Sequence, residues 1–289
     1  MSSRVKIPGI DRRYLYLLLF FVVSIPLLYP LRLPIPIGEH SKRFYDKVES
    51  LSAGNIVIVS FDYGPSTRPE NYPQSVASLF HAKERGCKIV VLAYWPSGAP
   101  IGEEALREST VFGSDFPNIP EYGTEVVYLG YVPGNEVGMQ TFGDNTATAK
   151  GIDHYGNDVT SLPLMQECQS AADFAVWIEI ASGTPGEQQV IQFVQGRHGG
   201  PSAVPILVGA TAVSVPGMMP FYPTQIYGIL NGLAGAGEYE FLLNLKYNYP
   251  YAQGPSLDAQ SLGHVLILLF IVIGNISYLL TRSKGGKSQ

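Results

Sequence analysis

Apolar and polar positions in the middle of the chain follow a repeated order of short apolar runs and helical patterns. Five apolar runs predict strands, at Asn55–Phe61, Lys88–Ala93, Glu125–Leu129, Phe174–Ile180 and Val204–Val213. Helical spacing predicts helices at Ser41–Leu51, Tyr72–Arg85, Gly102–Val111, Leu162–Ala171, Pro185–Gln195 and Tyr222–Leu245. Apolar strands separated by helices are typical of a parallel sheet covered on both faces. The pattern therefore predicts an α/β fold with a three-layer, mostly parallel, Rossmann-like sheet.

Two uncharged apolar runs flank this region, Tyr14–Leu31 and Leu262–Leu280. Each has about the length that a helix needs to cross the hydrocarbon core of a bilayer. The first run could instead be a cleaved signal peptide that follows Arg12 and Arg13, but no small-x-small cleavage site comes after it. We therefore expect two transmembrane helices and the lipid bilayer as a partner.

The predicted layout has seven parts, given by residue range. They are a tail (1–13), transmembrane helix 1 (14–31), a Pro-rich stalk and short helix (32–54), the α/β domain (55–250), a linker (251–261), transmembrane helix 2 (262–280) and a tail (281–289). Seven of the 19 basic residues lie in the two tails, and 23 of the 24 acidic residues lie between them. Positive charge marks the cytoplasmic side. We therefore expect both termini in the cytoplasm and the α/β domain on the exoplasmic side of the cell membrane.

Net charge and cysteine content exclude several classes of function. The net charge of −5 argues against a nucleic-acid partner, because phosphate binding needs a basic surface. The two cysteines, Cys87 and Cys168, form no CxxC motif or Cys/His cluster, which excludes a zinc ribbon and a c-type haem site. They could be buried thiols or a disulfide, and the sequence leaves that choice open.

The loops after the predicted strands are rich in small and polar residues. In open parallel sheets, ligands bind beyond the carboxyl ends of the strands, where helix N-termini also favour anions. The candidate ligand-binding residues in these loops are Asp62, Ser66, Thr67, Ser97, Ser182 and Thr184. The same composition is also usual for plain strand-to-helix turns.

Nucleotide and hydrolase motifs are missing from these loops. The chain has no GxGxxG after the first strand, no GxxxxGK[ST] and no GxSxG, so we expect no cofactor and assign no catalytic residue. Asp144, Asp153, His154 and Asp158 crowd one long loop, which could hold a hard cation. The loop is polar and Gly-rich, and we interpret it as a solvated flap without a metal.

Glycines recur in the predicted last helix of the domain. Gly228, Gly232 and Gly235 have the spacing of a groove on one helix face, and Asn275 is an amide within the second membrane run. Small residues let helix backbones approach closely, and an amide can hydrogen-bond between helices. These four residues are candidate interface residues for self-association or for contact with other membrane proteins. The alternative for the glycines is packing against the domain's own sheet.

Three segments carry a resemblance to other proteins: Ser60–Thr67, Ser182–Gly186 and Gln225–Glu240. They resemble a family of uncharacterised membrane-anchored proteins in which a Rossmann-like domain lies between two terminal transmembrane helices. The resemblance implies this architecture and no activity. The sequence favours a non-catalytic domain that binds a partner or ligand within a membrane assembly. The alternative is a membrane-bound hydrolase with its site at the carboxyl ends of the strands.

Overall fold

A computed structural model describes residues 11–31, 33 and 35–285, with side chains described as far as Leu279. The chain divides into two compact units, residues 35–251 and a terminal unit formed by residues 1–34 and 252–289. Most of the predicted N-terminal tail, part of the stalk (residues 32 and 34) and the last four residues lie outside the described residues.

Residues 35–251 form a six-stranded sheet in which every strand pair is parallel. The strands are β1 (Ile56–Asp62), β2 (Lys88–Ala93), β3 (Val126–Tyr131), β4 (Val176–Ala181), β5 (Ile206–Ala210) and β6 (Ile226–Asn231). Their order is β3-β2-β1-β4-β5-β6, which is the doubly wound, Rossmann-like arrangement. The prediction of a parallel α/β fold is confirmed.

Helices cover both faces of the sheet and form two apolar cores. In chain order the α-helices of the described residues are α1 (Arg12–Leu28), α2 (Glu39–Glu49), α3 (Arg68–Glu84), α4 (Gly98–Leu106), α5 (Asn135–Asp144), α6 (Pro163–Glu167), α7 (Glu187–Gln189), α8 (Val215–Met218), α9 (Gly232–Tyr247) and α10 (Gly254–Gly285). A π-helical segment, Val190–Gln195, follows α7. Helices α2, α3, α4 and α9 pack on one face. Helices α5, α6 and α8 and the π segment pack on the other.

Alternation along the strands sends neighbouring residues into different cores, which explains why these runs carry no polar face. In β1 every residue is buried, with Val57 and Val59 in one core and Ile56 and Ile58 in the other. One buried amide, Gln74 of α3, donates hydrogen bonds to the carbonyls of Ala210, Leu230 and Gly232. Such bonds satisfy backbone groups where β5 and β6 end.

The predicted helix over Tyr222–Leu245 is wrong in its first part, which contains β6. Gly228 lies within that strand, and a Cβ there would come 2.4 Å from the backbone nitrogen of Phe44 in α2. Gly232 has φ +56° and turns the chain from β6 into α9. Gly235 lies within α9, where an added Cβ would come 2.7 Å from the carbonyl carbon of Leu230. The three glycines therefore lie in different elements and do not share one helix face. Each allows close packing inside the domain.

Two further helix predictions and one loop interpretation differ from the structure. Ser41 lies inside α2 and is buried, and Gly38 precedes the helix instead. Leu162–Ala171 contains only the short α6 and a 3₁₀ turn at its end, since Pro163 starts and Cys168 ends the helix. Helix α5 lies in the region interpreted as a long loop, where few apolar residues indicate its periodicity.

The terminal unit contains two helices that lie side by side. Among the described residues, only one helical span is long and apolar enough to cross a membrane, Gly254–Leu279 of α10. Its most apolar stretch of 18 residues has a mean hydropathy of 2.1 and is 11% buried. Helix α1 has 17 residues, with Asp11 as its N-cap and Pro26 inside it. At about 1.5 Å per residue it is shorter than a 30 Å hydrocarbon core.

Antiparallel contacts join α1 to α10. The Asp258 carboxylate accepts hydrogen bonds from the backbone nitrogens of Leu31 (2.8 Å) and Leu33 (3.1 Å), just beyond the end of α1. Further along, a Cβ on Gly263 would lie 3.8 Å from a methyl of Val23. Asn275, near the other end of α10, is exposed.

Both cysteines are free thiols in the structure. Cys87 and Cys168 are buried, and burial raises their pKa to about 11 and about 12. They act as small buried side chains.

Candidate functional site

The topological switch point of the sheet lies between β1 and β4, its two central strands. After β1 the chain enters α3 on one face, and after β4 it enters α7 and the π segment on the other. Such a divergence leaves a crevice at the carboxyl ends of the two strands, which is the usual ligand position in this fold.

A buried polar cluster occupies the sheet at this point. Ser60 of β1 is the register partner of Glu179 of β4, and Asp62 lies two residues further on the same face. All three side chains are completely buried. The two carboxyl groups lie within hydrogen-bonding reach of each other.

The hydrogen bonds fix each carboxyl group differently. Asp62 accepts hydrogen bonds from the Ser60 hydroxyl and from the backbone nitrogens of Tyr94 (2.6 Å) and Trp95 (2.9 Å). Glu179 Oε2 accepts one from the indole nitrogen of Trp177 at 2.9 Å. The hydroxyl of Tyr94 is buried without a hydrogen-bond partner among the described residues, and the only group in reach of Glu179 besides Trp177 is the carboxyl of Asp62.

Burial dominates the electrostatics of this pair. It raises the pKa of Asp62 to about 6, against hydrogen bonds that act to lower it. Burial, with the charge of Asp62 and the hydrogen bond to it, raises the pKa of Glu179 well above its usual value. No ion pair compensates either group within the described part of the chain. Two adjacent buried carboxyls without a counter-charge retain one proton between them, because two unpaired negative charges in a dry interior repel strongly.

Trp95 closes the crevice over this cluster. It follows β2, yet its indole nitrogen donates to the Pro185 carbonyl beyond β4 at 3.1 Å. Its ring lies against Gly183, where a Cβ would come 3.1 Å from the ring. Because β1 lies between β2 and β4, the indole spans the end of the central strand. Asp62 holds the start of this loop through its two backbone bonds.

Beside this cover lies a pocket of about 170 Å³. The loops after β4 and β5 line it with Gly183, Thr184, Glu187, Gln188, Gln189, Ser214 and Met218. Glu187 is almost fully buried, and burial raises its pKa. Its charge also acts on Glu179, so the pocket and the buried pair are electrostatic neighbours.

The six candidate ligand-binding residues do not form one group. Asp62 would be accessible if it lined an open site, but it is completely buried. Ser66 and Thr67 lie in an outer 3₁₀ turn, and Ser97 contacts the Tyr63 carbonyl at 3.5 Å. Thr184 lines the pocket and Ser182 precedes it in the same loop.

The elements of a serine hydrolase are not assembled among the described residues. In the α/β unit, His81 contacts Tyr239 and Glu49, His154 contacts Glu103, His198 contacts Asp144, and the His40 ring lies against that of Tyr222. No serine hydroxyl of the described residues is hydrogen-bonded to a histidine there.

The acid-rich segment 144–158 serves as local structure. Asp153 accepts hydrogen bonds from the Tyr122 hydroxyl (2.6 Å) and from the backbone nitrogens of Tyr155 and Asn157 (both 2.8 Å). Asp158 caps the 3₁₀ turn that follows it. Within the described residues, no group of three or more His, Cys, Asp or Glu side chains is placed to hold a metal ion.

Several residues of this site are absent from the candidates selected by sequence. Glu179 had a detectable signal, because it is the one charged residue in the otherwise apolar strand Val176–Ala181. Tyr94, Trp95 and Glu187 had none, since nothing in the sequence shows that the β2 and β4 loops meet.

Comparison of the chain with protein-family models, with curated proteins and with solved structures finds no match.

Proposed function

We propose that this protein is a membrane-anchored exoplasmic α/β domain that binds a partner or ligand as a non-catalytic subunit of a membrane assembly. The observation that carries the anchoring is the long apolar α10, most of whose side chains between Val265 and Leu279 are exposed. Soluble surfaces rarely present apolar patches of this extent, whereas lipid covers them at no cost.

The packing of α1 against α10 supports a second membrane segment. Leu17, Phe20 and Phe21 of α1 are about half exposed, as are the apolar residues of α10. Asp258 satisfies two backbone N–H groups just after α1, where no helical bond is left for them. Two antiparallel helices with basic residues in both tails favour cytoplasmic termini and an exoplasmic domain.

The closed crevice favours binding over catalysis. The two carboxyl groups at the switch point are completely buried, and Trp95 covers them. A general acid or base must come within about 3 Å of its substrate, directly or through one water. A surface pocket and loops remain available for a ligand or partner.

Alkaline carbonate extraction tests the anchoring. Two arginines in α10 (Leu268→Arg with Val272→Arg) cost about 3 kcal/mol each in the hydrocarbon core. Combined with Leu17→Arg and Phe21→Arg in α1, they should move the protein from the membrane pellet to the soluble fraction. The matched control, Ile152→Arg with Val213→Arg, changes two exposed apolar residues of the α/β unit and should leave the protein in the pellet. Release of the unmodified protein by carbonate would contradict the proposal.

Size measurement tests the assembly. Light scattering of the detergent-solubilised full chain should give a mass above that of one chain, or a co-purifying partner. A strictly monomeric protein without a partner at all concentrations would contradict a subunit role.

A further inference from the structure

Helix α10 packs against α1 along only one of its sides. The residues on this side recur at spacings of three and four and are buried or partly buried, namely Gly263, Leu266 and Phe270. A Cβ on Gly263 would lie 3.8 Å from a methyl of Val23, which identifies this side as the contact with α1. The remaining sides of α10 are left without this contact.

A second stripe of residues runs along α10 and is exposed over its whole length. It consists of His264, Leu268, Ile271, Asn275 and Tyr278. The apolar or aromatic side chains among them are between 53% and 62% exposed. Their spacing alternates between four and three residues, which is the heptad repeat by which two helices wrap around each other. We call these five residues the α10 stripe.

Asn275 is the member of the α10 stripe that lipid does not satisfy. It lies five residues before the end of the apolar run Leu262–Leu280, which is about 7 Å at 1.5 Å per residue. Its amide offers two N–H donors and a carbonyl acceptor, and hydrocarbon supplies no partner for them. The amide has no hydrogen-bond partner among the described residues. A polar side chain of this kind usually meets a polar group of another helix.

A second copy of the chain is the partner that the α10 stripe fits. Around a two-fold axis the same surface of both copies meets, so Asn275 faces its own counterpart. An amide both donates and accepts, and two amides therefore satisfy each other, whereas two side chains of like charge would repel. The stripe contains no Asp, Glu, Lys or Arg, and its Leu268 and Ile271 are apolar residues suited to a packed seam.

We propose that two copies of the chain pair in the membrane through the α10 stripe, with their Asn275 amides hydrogen-bonded across a two-fold axis. This assignment rests on the proposal that the chain is a membrane-anchored subunit, and it names the partner and the contact surface of that subunit. A single polar residue in a heptad seam fixes the register of the two helices. Asn275 therefore sets the register, while Leu268 and Ile271 supply the packing.

Disulfide cross-linking in membranes that contain the full chain tests the surface. Single cysteines replace Leu268 or Ile271 in the α10 stripe, and the matched controls replace Leu269 or Ile276, which are equally apolar and exposed but lie on another side of the helix. Two cysteines join only if their Cα atoms come within about 7 Å. Oxidation with copper phenanthroline should convert the two stripe variants to dimers and leave the two controls as monomers. The unsubstituted chain, whose cysteines are both buried, measures the background.

Substitution of Asn275 tests the hydrogen bond. Asn275→Leu removes the amide and keeps a side chain of similar size. The dissociation constant of the detergent-solubilised dimer, measured by light scattering over a range of concentrations, should rise about 3- to 20-fold, the range found for hydrogen bonds between membrane helices. Asn275→Gln retains the donors and the acceptor and should recover most of the affinity. Ile276→Leu, the neighbouring position outside the stripe, should dimerise as the wild type does.

Equal cross-linking at all four positions would indicate random collision and would overturn the assignment. Cross-linking at the control positions alone, no dimer at any position, or an unchanged dissociation constant in Asn275→Leu would overturn it as well. A mass above that of one chain without cross-linking in the α10 stripe would place the contact elsewhere and leave the subunit role intact. Release of the unmodified protein by carbonate would instead remove the anchoring itself. Failure of the α10 stripe is therefore distinguishable from failure of the proposed function.

Discussion

Replacement of Glu179 by Gln tests the shared proton at the centre of the sheet. The amide preserves the shape of the side chain. Its oxygen can still accept from Trp177, and its NH₂ group can donate to Asp62. The variant removes the second acid of the pair while it retains both contacts.

The sign of the effect follows from linkage. A carboxyl whose pKa is raised in the folded state contributes stability that is fully present below the unfolded pKa and is lost as pH rises through the folded pKa. Burial raises the pKa of Glu179 well above its usual value, whereas the amide of the variant does not titrate, and Asp62 is present in both proteins. The wild type should therefore lose stability relative to Glu179→Gln as the pH rises from 5 to 8, by at most about 1.4 kcal/mol per pH unit.

Urea unfolding of the full chain in detergent, followed by tryptophan emission, measures this difference. The two tryptophans of the chain, Trp95 and Trp177, both lie at the site. The free energy of unfolding of the variant is compared with that of the wild type at each pH. The comparison is needed because the lowered pKa of His81 makes both proteins more stable as the pH rises toward 6.5. Glu84→Gln is the control and should follow the wild type. An unchanged pH dependence in Glu179→Gln, or a less stable variant at pH 8, would refute the reasoning.

Three further predictions concern other parts of the chain. Burial lowers the pKa of His81 to about 4, so the stability that the neutral imidazole contributes is present above pH 6.5 and is lost as the pH falls through 4. His81→Leu should cost about 1–3 kcal/mol of stability at pH 7 and should reduce the loss of stability at acid pH in urea titrations. Gly228→Ala should cost about 1–3 kcal/mol by overpacking against Phe44, whereas Gly217→Ala, with open space around it, should be nearly neutral in the same assay. Asp258→Ala should loosen the pair of terminal helices, which faster proteolysis near residue 33 would detect; an unchanged cleavage rate would contradict that role.

The sheet was predictable because its strands are buried on both faces and therefore read as unbroken apolar runs. Strand β6 was not, since Gly228 and Gly232 within a short apolar stretch imitate helical spacing. The structure shows that Gly228 makes room for the α2 backbone, a contact between residues far apart in sequence. Local pattern alone does not contain such long-range contacts.

The candidate site was predictable in position and less so in its residues. Asp62 was identified because it ends the first strand, where ligands of this fold bind. Its partner Glu179 and its cover Trp95 became neighbours only through the strand order β2-β1-β4.

Cysteine accessibility in intact cells tests the central claim, an exoplasmic domain between two membrane anchors, most directly. Gly151→Cys introduces an exposed thiol on the α/β unit with no atom within 4 Å of the new Cβ, and Ser3→Cys and Ser288→Cys place thiols in the two tails. The native Cys87 and Cys168 are buried with raised pKa values and should not react in the folded protein. An impermeant maleimide should label Gly151→Cys in intact cells and the tail variants only after permeabilisation. Labelling of both tails in intact cells, with protection of the cysteine at position 151, would contradict the account.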